Sequence, residues 1–376
     1  MILYTFVFFI TLLAAMLVRR PQPIYAASRQ KLLNRISLAA IFGVLFLLCA
    51  LRIEVGNDYI TYVQNAHEIY VGGITVTEPG YNLVVKLLFM ISGYENFLLV
   101  FAVFGCATIY IFLRSMYDQS QSFAMSFMLF MALGIYFRSF TTVRYYLALA
   151  IALYSIRYVL NRQYLRFVLI ILIAALFHKS VLIVIPMYLF CALSWKKWFC
   201  GLLVAASAAL YILKDYVMEI ALKLYPSYKD TIYLTMGVGI RDSLPAIARC
   251  SLILVLSIFC YREAIKDNKA NTLYFNMTML SFVLYTGGSF IPMVSRFGYY
   301  LITPQILLVP GIYMSVKDEK KRKYVLLAII AAAAFYFVYF LYTASKPGIA
   351  VLPYRSWLFT DLEWNNIEDV LTYTNR

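Results

Sequence analysis

The feature that most constrains this chain is a recurrence of apolar runs, each long enough to form a helix and separated by short polar stretches. They fall at residues 2–18, 36–51, 96–113, 122–138, 143–160, 164–178, 180–194, 198–213, 246–262, 272–290, 297–316 and 324–342. A helix of about 20 apolar residues crosses the hydrocarbon core, and shorter ones suffice where tyrosines and basic residues hold the ends. The chain is 63% apolar and only 14% charged, where soluble chains run roughly 45–50% and about 25%. It has too few charges to clothe a water-soluble surface. The expectation is an all-α polytopic membrane protein of about 12 transmembrane helices. No Pro/Gly/Ser-rich linker breaks the pattern, so residues 1–376 read as a single integral membrane domain.

Orientation follows from the basic residues. Thirty-three Lys+Arg against eighteen Asp+Glu give a net charge of +15, a balance that in a soluble chain would point to nucleic acid. Here the cations gather between apolar runs, as in membrane proteins that set their orientation by charge, so no nucleic-acid partner is expected. Five clusters stand out: Arg19 to Arg35, Arg157 to Arg166, Lys196 and Lys197, Arg262 to Lys269, and Lys317 to Lys323. Placing all five in the cytoplasm puts both termini outside. Residues 79–92, which include Lys86, are apolar enough to dip into the bilayer, but a full crossing would invert everything after them. They read as a re-entrant or interfacial helix on the outer face. Loops at 52–95 and 214–245 and a tail over 343–376 then face outward. They are longer than helix connections need to be.

Six cysteines lie in or beside apolar runs without CxxC or zinc-like spacing, and read as small buried hydrophobes. With two histidines and no dense carboxylate cluster, no metal site or cofactor is expected. Nucleophile elbow, Walker loop, GxGxxG and HExxH motifs are all absent.

The informative polar residues run against the inside rule. Arg52, Arg138, Arg144, Arg241, Arg249, Arg296 and Arg355 recur at the outer ends of spans. A single arginine there is as readily a headgroup anchor. Several together, at membrane depth, point to a bound anion, because guanidinium grips phosphate at two points. Asp58 in Gly56-Asn57-Asp58 and Glu78 before Pro79-Gly80 share that side. His178, between two apolar runs in Phe177-His178-Lys179-Ser180, offers a group that titrates near neutrality. His67 reads as an ordinary loop residue.

Six short motifs, in order, carry a resemblance. They are Leu51-Arg52 with Val55-Gly56-Asn57-Asp58 and Tyr62, Glu78-Pro79-Gly80-Tyr81, Val143-Arg144-Tyr145, Leu176-Phe177-His178-Lys179-Ser180 leading to Pro186, Ser295-Arg296-Phe297, and Leu352-Pro353-Tyr354-Arg355. Together they resemble the EpsG family of exopolysaccharide-synthesis proteins, relatives of the Wzy-type O-antigen and capsule polymerases. One departure is Glu78, where the family turn often carries Asp. The resemblance implies a GT-C-like fold in a bacterial cytoplasmic membrane. It implies a metal-independent, inverting glycosyltransferase that joins undecaprenyl-diphosphate-linked oligosaccharide units, donor to acceptor, on the outer face. A chain-length regulator would be a fitting partner. On that reading Arg144, Arg296 and Arg355 clamp the diphosphate, with Arg52 behind them and Arg138, Arg249 and Tyr354 as secondary contacts. Asp58, Glu78 or His178 takes the acceptor proton, with Asp58 favoured.

Two rivals fit part of the pattern. A transporter or flippase of lipid-linked oligosaccharide would also need outward cations, but would place ionisable groups nearer the midplane. A membrane O-acyltransferase could use His178, but its acyl donor would be expected from the cytoplasmic side, where no acid/base residue stands out.

Overall fold

The computed structural model describes residues 1–19, 27–224, 239–291 and 294–359. Part of the expected 214–245 loop, the tail beyond 359, and Arg20 of the first basic cluster lie outside the described residues. Each apolar run forms helix: α1 (Ile2–Met16), α2 (Ala27–Ala50), α3 (Tyr59–Val71), α4 (Pro79–Ser92), α5 (Phe97–Gln119), α6 (Phe123–Ala132), α7 (Ile135–Arg138), α8 (Val143–Leu160) and α9 (Tyr164–Ala175). There follow α10 (Val184–Cys191), α11 (Lys197–Ile212), α12 (Lys214–Leu224), α13 (Ile240–Phe259), α14 (Lys269–Gly287), α15 (Val294–Ile302), α16 (Gln305–Ser315) and α17 (Glu319–Thr343).

Six segments among the described residues are long and apolar enough to cross a membrane: Ser28–Ala50, Phe97–Gln119, Val143–Leu160, Ile240–Phe259, Val294–Ser315 and Glu319–Thr343. Lys197–Ile212 and Lys214–Ile220, bent by 75°, would make a seventh as one span. The expected count of about 12 is not reached on length. Run 122–138 is interrupted where Gly134 takes φ +70 between α6 and α7, and run 180–194 starts as a 3-10 turn over Lys179–Ile183. Large apolar side chains stand exposed along these helices, among them Phe6, Phe9 and Leu13 on α1 and Val255, Ile258 and Phe259 on α13. Lipid, not water, is the solvent that tolerates such faces. The chain is a multi-pass helical membrane protein.

The described chain divides into two compact units. The first comprises Met1–Tyr154, Leu169–Lys179 and the segment from Leu326 onward; the second comprises Ser155–Val168 and Ser180–Val325. In the first unit α1 buries Tyr4, Val7, Phe8, Thr11 and Ala15, a helical-period stripe, and Tyr4 stacks on Phe137 at 4.3 Å. Residues 79–92, expected as a helix, form α4, and the expected outer loop around them also holds α3 over Tyr59–Val71. Tyr59, Tyr62, Val63 and Ala66 of α3, and Tyr81, Val85 and Phe89 of α4, form a core with Phe97, Phe101 and Phe104 of α5 and Val143 and Leu147 of α8. At 14 residues α4 is about 21 Å long at 1.5 Å per residue, short of a membrane crossing.

The tail returns over the entry to α3. Ile53 N–H donates to the Arg355 carbonyl (3.0 Å), Gly56 N–H to Ala350 (2.8 Å) and Trp357 N–H to Leu51 (3.1 Å). The Tyr4 hydroxyl ties the strap to α1 through the Val351 carbonyl, 2.6 Å away. Gly56 makes the fit possible. Its φ is +109, and a Cβ there would lie 2.8 Å from the Phe140 carbonyl carbon. Gly56→Ala should therefore cost about 1–3 kcal/mol, read as a lowered thermal midpoint of the detergent-purified protein; an unchanged midpoint would show that the turn relaxes.

The second unit is held by polar ties inside an apolar frame. Ser207 of α11 meets Thr286 of α14 at 2.6 Å, and Asn276 Nδ2 donates to the Cys191 carbonyl at 2.9 Å. Cys250, Tyr285 and Ile302 form a small core.

Candidate functional site

Glu78 precedes Pro79 at the first turn of α4, with its backbone extended and its proline at N1 or N2, where a missing N–H costs nothing. Its neighbour Gly80 packs on the end of α9. The Gly80 N–H donates to the Leu176 carbonyl at 2.9 Å, and a Cβ at Gly80 would come within 2.7 Å of that oxygen. The effect is to carry the Glu78 carboxylate to the residues that follow α9. Oε1 accepts the backbone N–H of Lys179 at 3.2 Å, and His178 Nδ1 stands 3.4 Å from the same oxygen. Oε2 is ion-paired to Nη1 of Arg144, at the start of α8. Three residues from α4, α8 and the end of α9 thus form one cluster.

Aromatic rings fix its cation. The Arg144 guanidinium carbon lies 5.6 Å from the Tyr62 ring centroid and 5.2 Å from that of Tyr81, and the Arg144 N–H donates to the Tyr62 hydroxyl at 3.3 Å. His178 meets the Tyr145 ring edge to face at 5.3 Å. The side chains of Arg144, Glu78 and His178 are 17%, 7% and 16% exposed, so the cluster is sheltered but reachable. Arg144 Nε and both His178 ring nitrogens are buried without a hydrogen-bond partner among the described residues. Such atoms are donor or acceptor capacity that a bound polar group would use.

Electrostatics set the state of Glu78. Burial opposes its ionisation, but the approach of His178, the charge of Arg144 and the Lys179 N–H outweigh it. They hold its pKa down from 4.5 to about 2. It is ionised at neutral pH and a weak base. Its weak basicity argues against Glu78 as the acceptor of the proton, one of the roles expected for it from the sequence.

The other expected residues fall into different settings. Asp58 is half-buried at the start of α3, one turn before Tyr62. Arg52 is 1% exposed and lies between the Phe101 and Phe140 rings, 5.0 and 4.8 Å from their centroids. Its Nη1 donates to the Cys49 carbonyl at 2.6 Å. The expected support for a diphosphate is enclosed by protein, held by aromatic faces and a carbonyl, while its Nε is buried without a hydrogen-bond partner among the described residues. Arg355 is half exposed and ion-paired to Glu54, a carboxylate not singled out from the sequence. The Tyr354 hydroxyl donates to the Leu48 carbonyl at 3.1 Å, so it serves the strap.

In the second unit Arg296 is exposed near the start of α15. Arg249 is buried, with Nε on Gln305 at 2.7 Å and Nη2 on the Ile302 carbonyl at 2.8 Å. As a secondary anion contact Arg249 is thereby corrected: its donors pin α13 to the break between α15 and α16. Arg138 closes α7. His67 pairs with Glu95 at 2.7 Å, more than the bland loop residue expected.

In this multi-pass helical membrane protein, helix ends thus converge on a sheltered carboxylate–guanidinium–imidazole cluster. The chain belongs to the EpsG family, whose model matches residues 35–356. No match is found among the curated proteins, nor among the solved structures.

Proposed function

We propose that the protein is a polysaccharide polymerase that joins lipid-diphosphate-linked oligosaccharide units by glycosyl transfer on the outer side of the cytoplasmic membrane. The observation that supports it most is the meeting of Glu78, Arg144 and His178 in a chain of the EpsG family. A sugar leaving from a diphosphate puts negative charge on the leaving oxygen as the glycosidic bond breaks. Arg144 supplies the compensating charge, and Glu78, ionised and committed to Arg144, holds the guanidinium in place. The half-exposed Arg355 is a further cation for the diphosphate.

The acceptor hydroxyl attacks the anomeric carbon of the growing chain. A C–O bond forms, the bond to the diphosphate oxygen breaks, and the lipid diphosphate leaves. The hydroxyl proton passes to Asp58 or His178. Attack from the face opposite the leaving group gives inversion.

The purified protein, given lipid-diphosphate repeat units in chelator and without an ion gradient, should lengthen the chains. Failure to ligate, with transfer across vesicles instead, would favour a transporter. His178→Ala and Asp58→Asn divide the proton role. The variant that lost the base should fall by about 10²–10⁴ in turnover and lose the rising limb of the pH–rate profile. A profile unchanged in both variants would remove both residues from proton transfer.

A further inference from the structure

The first unit carries a second cationic feature at the opposite end of its helices from the cluster just described. Lys31, Asn34 and Arg35 of α2 and Tyr110, Arg114 and Tyr117 of α5 line a groove of about 530 Å³, floored by apolar side chains such as Leu38 and Phe42. Lys31 lies about 28 Å along α2 from Ala50, at 1.5 Å per residue. That is close to the roughly 30 Å of a hydrocarbon core. The groove therefore sits at the other membrane surface from Arg52, which follows Ala50 directly.

Two observations separate this groove from ordinary headgroup anchoring. Its lining carries three cations, Lys31, Arg35 and Arg114, of which Arg114 has its Nε held by Asp118 at 2.9 Å. The same Tyr110 and Arg114 also line a second groove of about 490 Å³, whose remaining walls are Ile111, Ile151, Tyr154, Ile170 and Ile173. A charged groove and an isoleucine-lined one thus adjoin at Tyr110 and Arg114. Asn34 is 2% exposed and is fixed by the Arg19 backbone, with Nδ2 donating to the carbonyl at 2.6 Å and Oδ1 accepting the N–H at 3.0 Å. The cationic wall is built on a rigid helix pair.

We infer that these paired grooves hold one anionic glycerophospholipid, with its phosphate against Lys31, Arg35 and Arg114 and an acyl chain along the isoleucines. Charge complementarity selects the anionic headgroup, and the adjoining isoleucine-lined groove selects a lipid over free phosphate. The site is independent of the polymerase reading and lies away from its residues.

The test uses the full-length protein in neutral detergent, titrated with phosphatidylglycerol or phosphatidylcholine and read by native mass spectrometry and thermal midpoint. Phosphatidylglycerol should be retained at least about tenfold over phosphatidylcholine, and should raise the midpoint by mass action. K31E/R35E and, separately, Arg114→Gln should abolish that preference and that rise, with lipid-free midpoints and chain lengthening unchanged. Equal retention of the two lipids, or an unaltered preference in both variants, would overturn the assignment. So would full displacement by inorganic phosphate, or stronger binding of an isoprenoid diphosphate at the same residues.

Discussion

Arg144→Ala is expected to leave the protein in the membrane while polymer formation falls by about 10²–10³, the usual cost of deleting a donor aimed at developing charge. Lipid-linked single repeats should accumulate as long chains vanish. Arg144→Lys should recover little of the loss. The guanidinium is a planar fork that lies near the faces of Tyr62 and Tyr81 while one Nη engages Glu78, with Nε still unbonded. An ammonium is a single point charge, so a lysine that reached Glu78 would have no second fixed donor for the diphosphate. The readout is chain length and repeat-unit pool, normalised to membrane protein level. Normal polymer in Arg144→Ala would take Arg144 out of the donor site and leave the cluster a structural ion pair.

Much of this arrangement is legible in the residues, and the parts that are not share a cause. Apolar periodicity announces each helix because burial in lipid or core acts residue by residue. Glu78, Arg144 and His178 stand out because an ionisable group beside apolar sequence needs a partner, even though a separation of 66 positions between Glu78 and Arg144 hides which one. What fails is whatever depends on two distant segments at once. Glu54 looks like a solvated loop carboxylate until the tail brings Arg355 across 301 residues. Arg52 looks like an outward cation until Phe101 and Phe140 close over it. The helicity of Tyr59–Val71 is a different failure, whereas residues 79–92 read as helix from their apolar run. The spacing of Tyr59, Tyr62, Val63 and Ala66 was present, but the polar residues among them masked a face that α5 completes. Span count suffers likewise, since an apolar run does not reveal that Gly134 will turn left-handed against Phe340.

Glu78→Gln is expected to act on stability and activity together, and pH separates the two. Glutamine keeps the shape and can still accept the Lys179 N–H, but it removes the charge that Arg144 faces. Breaking a buried pair by removing one partner costs about 3–5 kcal/mol. Arg144 is partly exposed, so about 2–3 kcal/mol is the expected loss at neutral pH. The wild-type carboxyl gives an independent bound. A pKa brought from 4.5 to about 2 corresponds to at most about 3 kcal/mol, at 1.36 kcal/mol per pH unit. The sign follows from the depressed value: this stability is complete above pH 4.5, and it is lost as the pH falls towards 2 and Glu78 takes up a proton. Thermal midpoints measured from pH 7 down to 2.5 should show the wild type well above Glu78→Gln at the start and converging on it at the acid end. Polymer formation should be impaired in Glu78→Gln even at pH 7 and at temperatures where the variant is fully folded, because Arg144 is no longer held against its carboxylate. Parallel midpoint curves would mean that Glu78 is not ionised against Arg144. Full activity in a folded variant would mean that the pair stabilises the fold without positioning the cation.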